Sequence, residues 1–497
     1  MNQCNLLSSR RAGILLHPTS LPGPFESGDF GYNANKFVDF LSDINISAWQ
    51  VLPLSPTHSD LSPYGAYSAH AGNPNLVSLE KLTARGWLDK ESISRYTDHT
   101  HDLKALCLRD AYHCFIASAQ HEDHQRFEAF KTQQTNWLDD YVLFVCLRQH
   151  FNDLCWNQWP LEFRDRDSEK LIEFSQQFKT ELDLQKFIQY VFFQQWTELK
   201  SYANERNIIL IGDIPIFVGL DSADVWAHRD YFSIDEFGNP VCVAGVPPDY
   251  FSETGQRWGN PHYQWNNLQR DNFSWWIERI KTQHTLFDAI RIDHFRGLVQ
   301  YWEIPAEEST AQGGRWVPAP GKELLETIRH HFPDTCIIAE DLGIITHDVE
   351  QLRDEFNLPG MRILQFAFDG SEDNPHLPRN YTENSIAYTA THDNNTTIGW
   401  YNSLTEDTKR FVHEIINYSE LPMPWPLIHT VLSSVSNTAI IPMQDLLELD
   451  ETCRMNIPGT INDQNWKWRF EWDQIKTDKK EYMANLIEIY NRKYKQA

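Results

Sequence analysis

The stretch FDAIRIDHF, residues 287–295, decides how the chain is read. Its apolar run from Ala289 to Ile292 ends abruptly in Asp293 and His294. Near-continuous apolarity of this length suits a strand covered on both faces, as in a parallel sheet. Arg291 and Asp293 are two residues apart, so a strand points both to the same side.

Working outward, seven further runs have the same character. AGILLH (12–17), AWQVLPL (48–54) and IILIGDIPIF (208–217) precede it, and CIIAEDL (336–342), MRILQFAF (361–368), IAYTATHD (386–393) and TAIIPMQDLL (438–447) follow. Helical periodicity separates later runs, in KELLETIRHHF (322–332) and THDVEQLRDEF (346–356), the second opening on a Thr cap. Eight strands alternating with helices predict an α/β fold, a closed (β/α)8 TIM barrel, with an open doubly wound sheet as the alternative. No GxGxxG or GxxxxGK[ST] turn follows any run, which argues against the nucleotide-binding forms of the open sheet.

The spacing of the runs predicts one catalytic barrel over 1–497 with two insertions. Residues 65–205 are rich in helical patterning and read as an inserted, mainly helical subdomain. Residues 218–286 form a second insertion. It contains AGVPPDYFSETGQRWGNPHYQW (244–265), whose Pro, Gly and aromatic content excludes helix and predicts an ordered, lid-like loop over the barrel mouth.

A net charge of −26 repels phosphate backbones and anionic membrane surfaces, so nucleic acid and membrane are excluded as partners. No stretch approaches the roughly 20 apolar residues of a membrane span. The apolar run near the N-terminus, Ala12–Leu16, is short for a signal segment and reads as a buried strand. None of the eight cysteines forms a CxxC pair, and Cys336 reads as a small core residue. A reducing cytoplasm fits this usage best. The 18 tryptophans are mostly core, with a weak lean toward a sugar ligand.

Barrel enzymes place catalytic groups at the C-terminal ends of strands. The tails of the runs supply His17, Asp213, Arg291 with Asp293 and His294, Glu340 with Asp341, Asp369, His392 with Asp393, and Gln444 with Asp445. Acids gathered at a barrel mouth serve either a metal site or glycoside chemistry. The one His-x-His, in Asp98–Asp102, falls in the helical insertion and reads as a solvated linker rather than a metal site. Asp293 is a nucleophile kept ionised by Arg291, or half of a structural ion pair. Glu340 is a general acid with a pKa raised by its apolar strand, or a helix cap. Asp393 stabilises positive charge or caps the next helix, and His392 is a hydroxyl ligand or structural. Trp258 and Tyr64, each on a Gly/Pro-rich loop, are sugar platforms or loop packing.

Taken together, AIRIDHFRG, IIAEDLG, THDNNTT and RMNIPGT resemble the 4-α-glucanotransferases of the amylomaltase and disproportionating-enzyme family. SPYGAYSAHAGNPNL, IGDIPIFV and AGVPPDYFSETGQRWGNP are similar to that family as well, so the likeness runs from about residue 11 to about 470. The resemblance implies an α-amylase-type barrel that transfers α-1,4-glucan segments between maltooligosaccharides through a covalent intermediate, with no metal or organic cofactor. It implies Asp293 as nucleophile, Glu340 as acid/base and Asp393 as the stabilising carboxylate. Asp213, Arg291, His294 and His392 are implied around the reacting sugar. Tyr64, Asp249, Gln256, Trp258 and Asp369 are implied along the glucan groove, and Asn456 and Asn465 in the closing motif. The competing readings are an α-glucan hydrolase on the same carboxylates, a non-catalytic glucan-binding barrel and a metal-dependent barrel hydrolase.

Overall fold

A computed structural model of the chain describes residues 5–96, 103–248, 252–416 and 420–494. Asp249 and the Asp98–Asp102 segment lie outside the described residues. Among the described residues twelve strands run in chain order as β1 (Arg11–Leu15), β2 (Ala48–Gln50), β3 (Ile209–Ile214), β4 (Cys242–Val246), β5 (Gln256–Pro261), β6 (Ala289–Ile292), β7 (Gln300–Pro305), β8 (Arg315–Pro318), β9 (Cys336–Ala339), β10 (Gly360–Ile363), β11 (Ser385–Tyr388) and β12 (Thr438–Pro442). Eight of them close a parallel barrel in the order β1-β12-β11-β10-β9-β6-β3-β2. All eight apolar runs supply one barrel strand each.

Alternation along the strands explains both the runs and the site. Ile209 and Ile211 on β3, Ala289 on β6, and Cys336 and Ile338 on β9 fill the barrel interior. Their neighbours Leu210, Ile290, Ile292, Ile337 and Ala339 face outward into a second core shared with the helices. Continuing each interior series in steps of two gives Asp213, Arg291 then Asp293, and Glu340. The barrel is therefore apolar below and charged in its top layer. Tyr388, on β11 in the interior cluster, donates its buried hydroxyl to Gln50 Oε1 at 2.9 Å.

Helices connect most of the barrel strands. Between β2 and β3 the described chain is mainly helical and ends in the 26-residue helix Lys179–Asn204, which buries Phe187, Val191, Phe192 and Trp196. Trp196 Nε1 donates to Leu286 O at 2.8 Å, tying that helix to the one before β6. Between β10 and β11 the chain makes only 3-10 turns, Leu364–Ala367 and Pro378–Asn380, so the run MRILQFAF stops being strand at Ile363. TAIIPMQDLL likewise ends as strand at Pro442 and turns helical over Met443–Leu446. Thr346 sits at the N-cap as expected, yet its hydroxyl donates to Asp348 rather than accepting from the helix backbone.

The 244–265 segment departs from the loop reading. β4 and β5 form an antiparallel hairpin that joins β7 and β8 in a four-stranded sheet, order β5-β4-β7-β8. These strands mix Gly, Pro and Trp, and β4 pairs with β7, whose partner residues lie about 60 positions away. Local patterning does not register such pairing. Six described cysteines are free thiols. Cys336, buried at the start of β9, is disulfide-bonded, against its reading as a plain core residue.

At the N-terminal end of the barrel, Arg492 is fully buried. Its guanidinium donates to Leu432 O at 2.6 Å, Arg11 O at 3.1 Å, and Ser434 O and Ser436 O at 3.1 Å. Removing it leaves several buried carbonyls without a donor. Arg492→Met is expected to cost about 3 kcal/mol in urea unfolding, with turnover at 25 °C retained. Unchanged stability would show that the carbonyls find other partners.

Candidate active site

The site begins with a cross-strand pair: Asp213 on β3 lies in register with Arg291 on β6. Arg291 Nη1 donates to Asp213 Oδ2 at 2.5 Å, and Nη2 donates to Asp293 Oδ1 at 2.8 Å. Arg291 and Asp213 are buried, at 4% and 1% exposure, while the Asp293 side chain keeps 28%. One guanidinium thus anchors one carboxylate in the wall and presents another to the mouth.

Glu340 follows the last residue of β9, and its N–H continues the ladder to Ile292 O at 3.2 Å. Immediately after Asp293 the chain turns through His294 in the left-handed region, φ 52°. A non-glycine residue held there is uncommon and concentrates at functional sites. The turn aims the His294 N–H at Glu340 Oε2, 2.6 Å away. The sequence gives no signal for this contact beyond the adjacency of Asp293 and His294.

Tyr64 and His392 close the other side. The Tyr64 hydroxyl donates to Asp213 Oδ2 at 2.8 Å and lies 2.9 Å from His392 Nε2. Its one proton is committed to Asp213, so His392 Nε2 is the donor in the second bond. The two rings stack at 5.3 Å and 10°. His392 Nε2 is also 3.3 Å from Asp393 Oδ2, which brings the third carboxylate into the same network.

Burial raises the Asp293 carboxyl to about 7; Arg291 opposes this, while Asp213 and Asp393 add to it. Arg291 favours the ionised form of Asp293, in the direction expected, and burial outweighs it. Burial pushes Glu340 well above its ordinary value, with Arg291 lowering it and Asp293 raising it. Arg291 hydrogen-bonds Asp293 and not Glu340, so Asp293 ionises first and Glu340 keeps the proton. Burial also lowers His392 and takes His294 down to about 3, so both imidazoles are neutral at pH 7.

Trp258, on β5, is 38% exposed and meets His294 edge to face at 4.9 Å. Its Nε1 donates to Gln256 Oε1 at 3.1 Å. The hairpin therefore overlies the reacting centre and offers one ring to solvent. Asp369 is exposed in the turn after β10 and accepts from Ser371 N at 2.9 Å. Its described hydrogen bonds stay within that turn. Asn465 is buried and spends its side chain on Ile457 N at 3.1 Å and Thr460 O at 3.0 Å, inside the closing loop. Asn456 from that loop reaches the site instead, donating to Asp393 Oδ1 at 2.6 Å.

Two strand-tail acids have structural duties. Asp341 accepts from Arg353 at 2.6 Å, Arg362 at 3.2 Å and Met361 N at 2.6 Å. Asp445 accepts from Thr389 and Thr397 hydroxyls at 2.6 and 2.7 Å. His17 is buried, and desolvation lowers it to about 3. Among the described residues no group of three or more His, Cys, Asp or Glu could hold a metal ion, and no helix is long and apolar enough to cross a membrane.

A carboxylate set at the C-terminal mouth of a parallel barrel, roofed by an aromatic hairpin, defines a carbohydrate-processing enzyme of the (β/α)8 class. A sequence model described as 4-alpha-glucanotransferase matches residues 16–475. The 4-alpha-glucanotransferase of Thermus thermophilus is 46% identical over 93% of this chain and 94% of its own. That of Synechocystis sp. is 44% identical over 98% and 99% respectively. The structure of amylomaltase from Streptococcus agalactiae in complex with acarbose superposes with a TM-score of 0.93 at 36% identity, covering 97% of this chain and 99% of that one. The chain belongs to the 4-alpha-glucanotransferase family, and its activity is glycosyl transfer between α-glucans.

If Asp293 acts ionised and Glu340 protonated, kcat/KM rises with pH through about 7 and falls at higher pH. Arg291→Met removes the cation that lowers Asp293, so the acidic limb should move to higher pH. A pH profile with maltotriose checks this, and an unmoved acidic limb contradicts the role given to Arg291.

Proposed function

We propose that the site moves α-1,4-glucan segments between maltooligosaccharides by double displacement with retention. The observation that carries this reading is one guanidinium bonded to Asp213 and Asp293, with Glu340 beside it under greater proton affinity. Asp293 attacks C1 of the donor sugar while Glu340 gives its proton to the departing glycosidic oxygen. The first glucan leaves, and the donor remains as an ester of Asp293. Glu340, now ionised, takes the proton from an acceptor hydroxyl as that oxygen attacks C1, which frees Asp293 and restores the starting charge state.

Positive charge develops on the sugar in both transition states, and Asp393 supplies a nearby negative one. Asp213 Oδ1 and His294 Nε2 are buried and take no hydrogen-bond partner within the described protein. Sugar hydroxyls at the reacting subsite fit these two atoms, one accepting and one of a neutral imidazole. Trp258 offers an apolar face for stacking along the groove, supported by its exposure and by its position against His294. A β4–β5 hairpin that excludes water while sugar occupies the acceptor side favours transfer over hydrolysis. Tyr64 and Gln256 belong to the same surface. Asp249 and Asp369 are proposed further out along the groove, and Asn465 as the pin of its closing loop. A cytoplasmic setting is part of the proposal; the free thiols support it and the disulfide at Cys336 counts the other way.

Incubation with maltotriose, without added metal or cofactor, should give glucose and a ladder of longer maltooligosaccharides. Glucose and maltose alone would make the enzyme a hydrolase. Asp293→Asn is expected to abolish product formation without lowering Tm, since it relieves a half-buried carboxylate whose raised pKa costs stability at neutral pH. Near-normal turnover in that variant removes Asp293 from the nucleophile role. Trp258→Ala should raise KM for long donors by about tenfold, the scale of one lost contact of about 1.4 kcal/mol, and an unchanged KM would assign the ring to loop packing.

A further inference from the structure

We infer that Asn456 is a positioning residue that fixes the orientation of Asp393, with Arg454 as the tie that holds Asn456 in place. This rests on the reading of Asp393 as the carboxylate that stabilises the transition state.

Asp393 lies five residues beyond the end of β11, so the barrel ladder does not hold it. Its side chain is 44% exposed, and its own segment offers a contact of 3.3 Å from His392 Nε2 to Oδ2 and a long bond of 3.4 Å from its N–H to Thr391 Oγ1, leaving Oδ1 to a donor from elsewhere. The donor on Oδ1 is the Asn456 amide at 2.6 Å, arriving from a loop beyond β12. Asn456 is itself buried, at 8% exposure. Arg454 clamps the two segments together: Nε donates to Asn456 O at 2.6 Å and Nη2 to Asp393 O at 2.5 Å. Behind them Asn465 staples the loop through Ile457 and Thr460.

The choice of an amide has a physical logic. A neutral donor on Oδ1 fixes the carboxylate plane without cancelling its charge, and leaves Oδ2 directed toward His392 and the mouth. A lysine or arginine side chain in that place would neutralise the charge that the sugar cation needs. The Arg454 cation is spent on backbone carbonyls instead, where it fixes geometry. Without Asn456, rotation of the Asp393 side chain displaces the charge, and a displacement of about 1 Å costs on the order of 10²-fold in rate.

The test is steady-state transfer on maltotriose by N456A, N456D, D393N and the D393N/N456A double variant, with Tm recorded for each. N456A is expected to lose about 10²-fold in kcat with KM within about threefold of wild type. In the D393N background the same substitution should cost nothing further, because the group it positions is gone. N456D keeps the side-chain shape if N456A folds poorly; it sets a second carboxylate against Asp393 and should lose at least as much kcat. Wild-type kcat in either folded single variant overturns the proposal while leaving the reading of Asp393 intact. An undiminished penalty in the D393N background overturns it too, since Asn456 would then act by another route. Near-normal kcat in D393N itself would sink the reading of Asp393, and the positioning role with it.

Discussion

A guanidinium buried near the top of the barrel, bonded to a carboxylate on each side, is the constraint from which the site follows. Arg291 is 4% exposed, and leaving such a cation unpaired costs several kcal/mol. Asp213, directly across the β3–β6 ladder, satisfies it in the wall. The second carboxylate, Asp293, is thereby held at a fixed place and angle facing the mouth. Tyr64 then adds to Asp213, His392 to Tyr64, and Asp393 to His392. Each member contacts the one before it, which is how a barrel with an apolar interior presents a charged surface at its mouth.

The roles proposed for Asp293 and Glu340 rest on the same cation. Burial raises both carboxyls, and only the one in contact with Arg291 is pulled back to about 7. Two similar groups are thus given different proton affinities by their contact with one positive charge, the difference the proposed mechanism uses. The His294 N–H on Glu340 favours its ionised form, which the second half of the proposed mechanism uses. The hairpin bearing Trp258 meets that same His294, so the hairpin and Glu340 share one backbone turn.

The barrel was legible because its strands are buried on both faces, which writes them as unbroken apolar runs such as AIRI and CIIA. The top layer was legible because polar residues stand where those runs end. Telling Glu340 from Asp341 needed strand parity: Glu340 continues the interior series of Cys336 and Ile338, and Asp341 follows the outward Ala339 into a clamp with Arg353 and Arg362. The small antiparallel sheet was hidden by its composition and by pairing between distant segments. Asn456 was visible only as part of a motif, since its contact with Asp393 spans 63 residues and depends on how two loops meet. Asn456 and Asn465 show the limit: identical side chains in one loop are separated only by which way the turn points them.

The central claim is that Asp293 becomes covalently bonded to the sugar. The most direct measurement is intact-protein and peptide mass spectrometry of Glu340→Gln after brief reaction with α-glucosyl fluoride, a donor whose leaving group needs no acid. Loss of the base should leave the second step slow, so one glucosyl unit is expected on the peptide containing residues 287–295, at Asp293. Consumption of the fluoride with the sugar found on another side chain, or with no adduct at any time, would contradict the account.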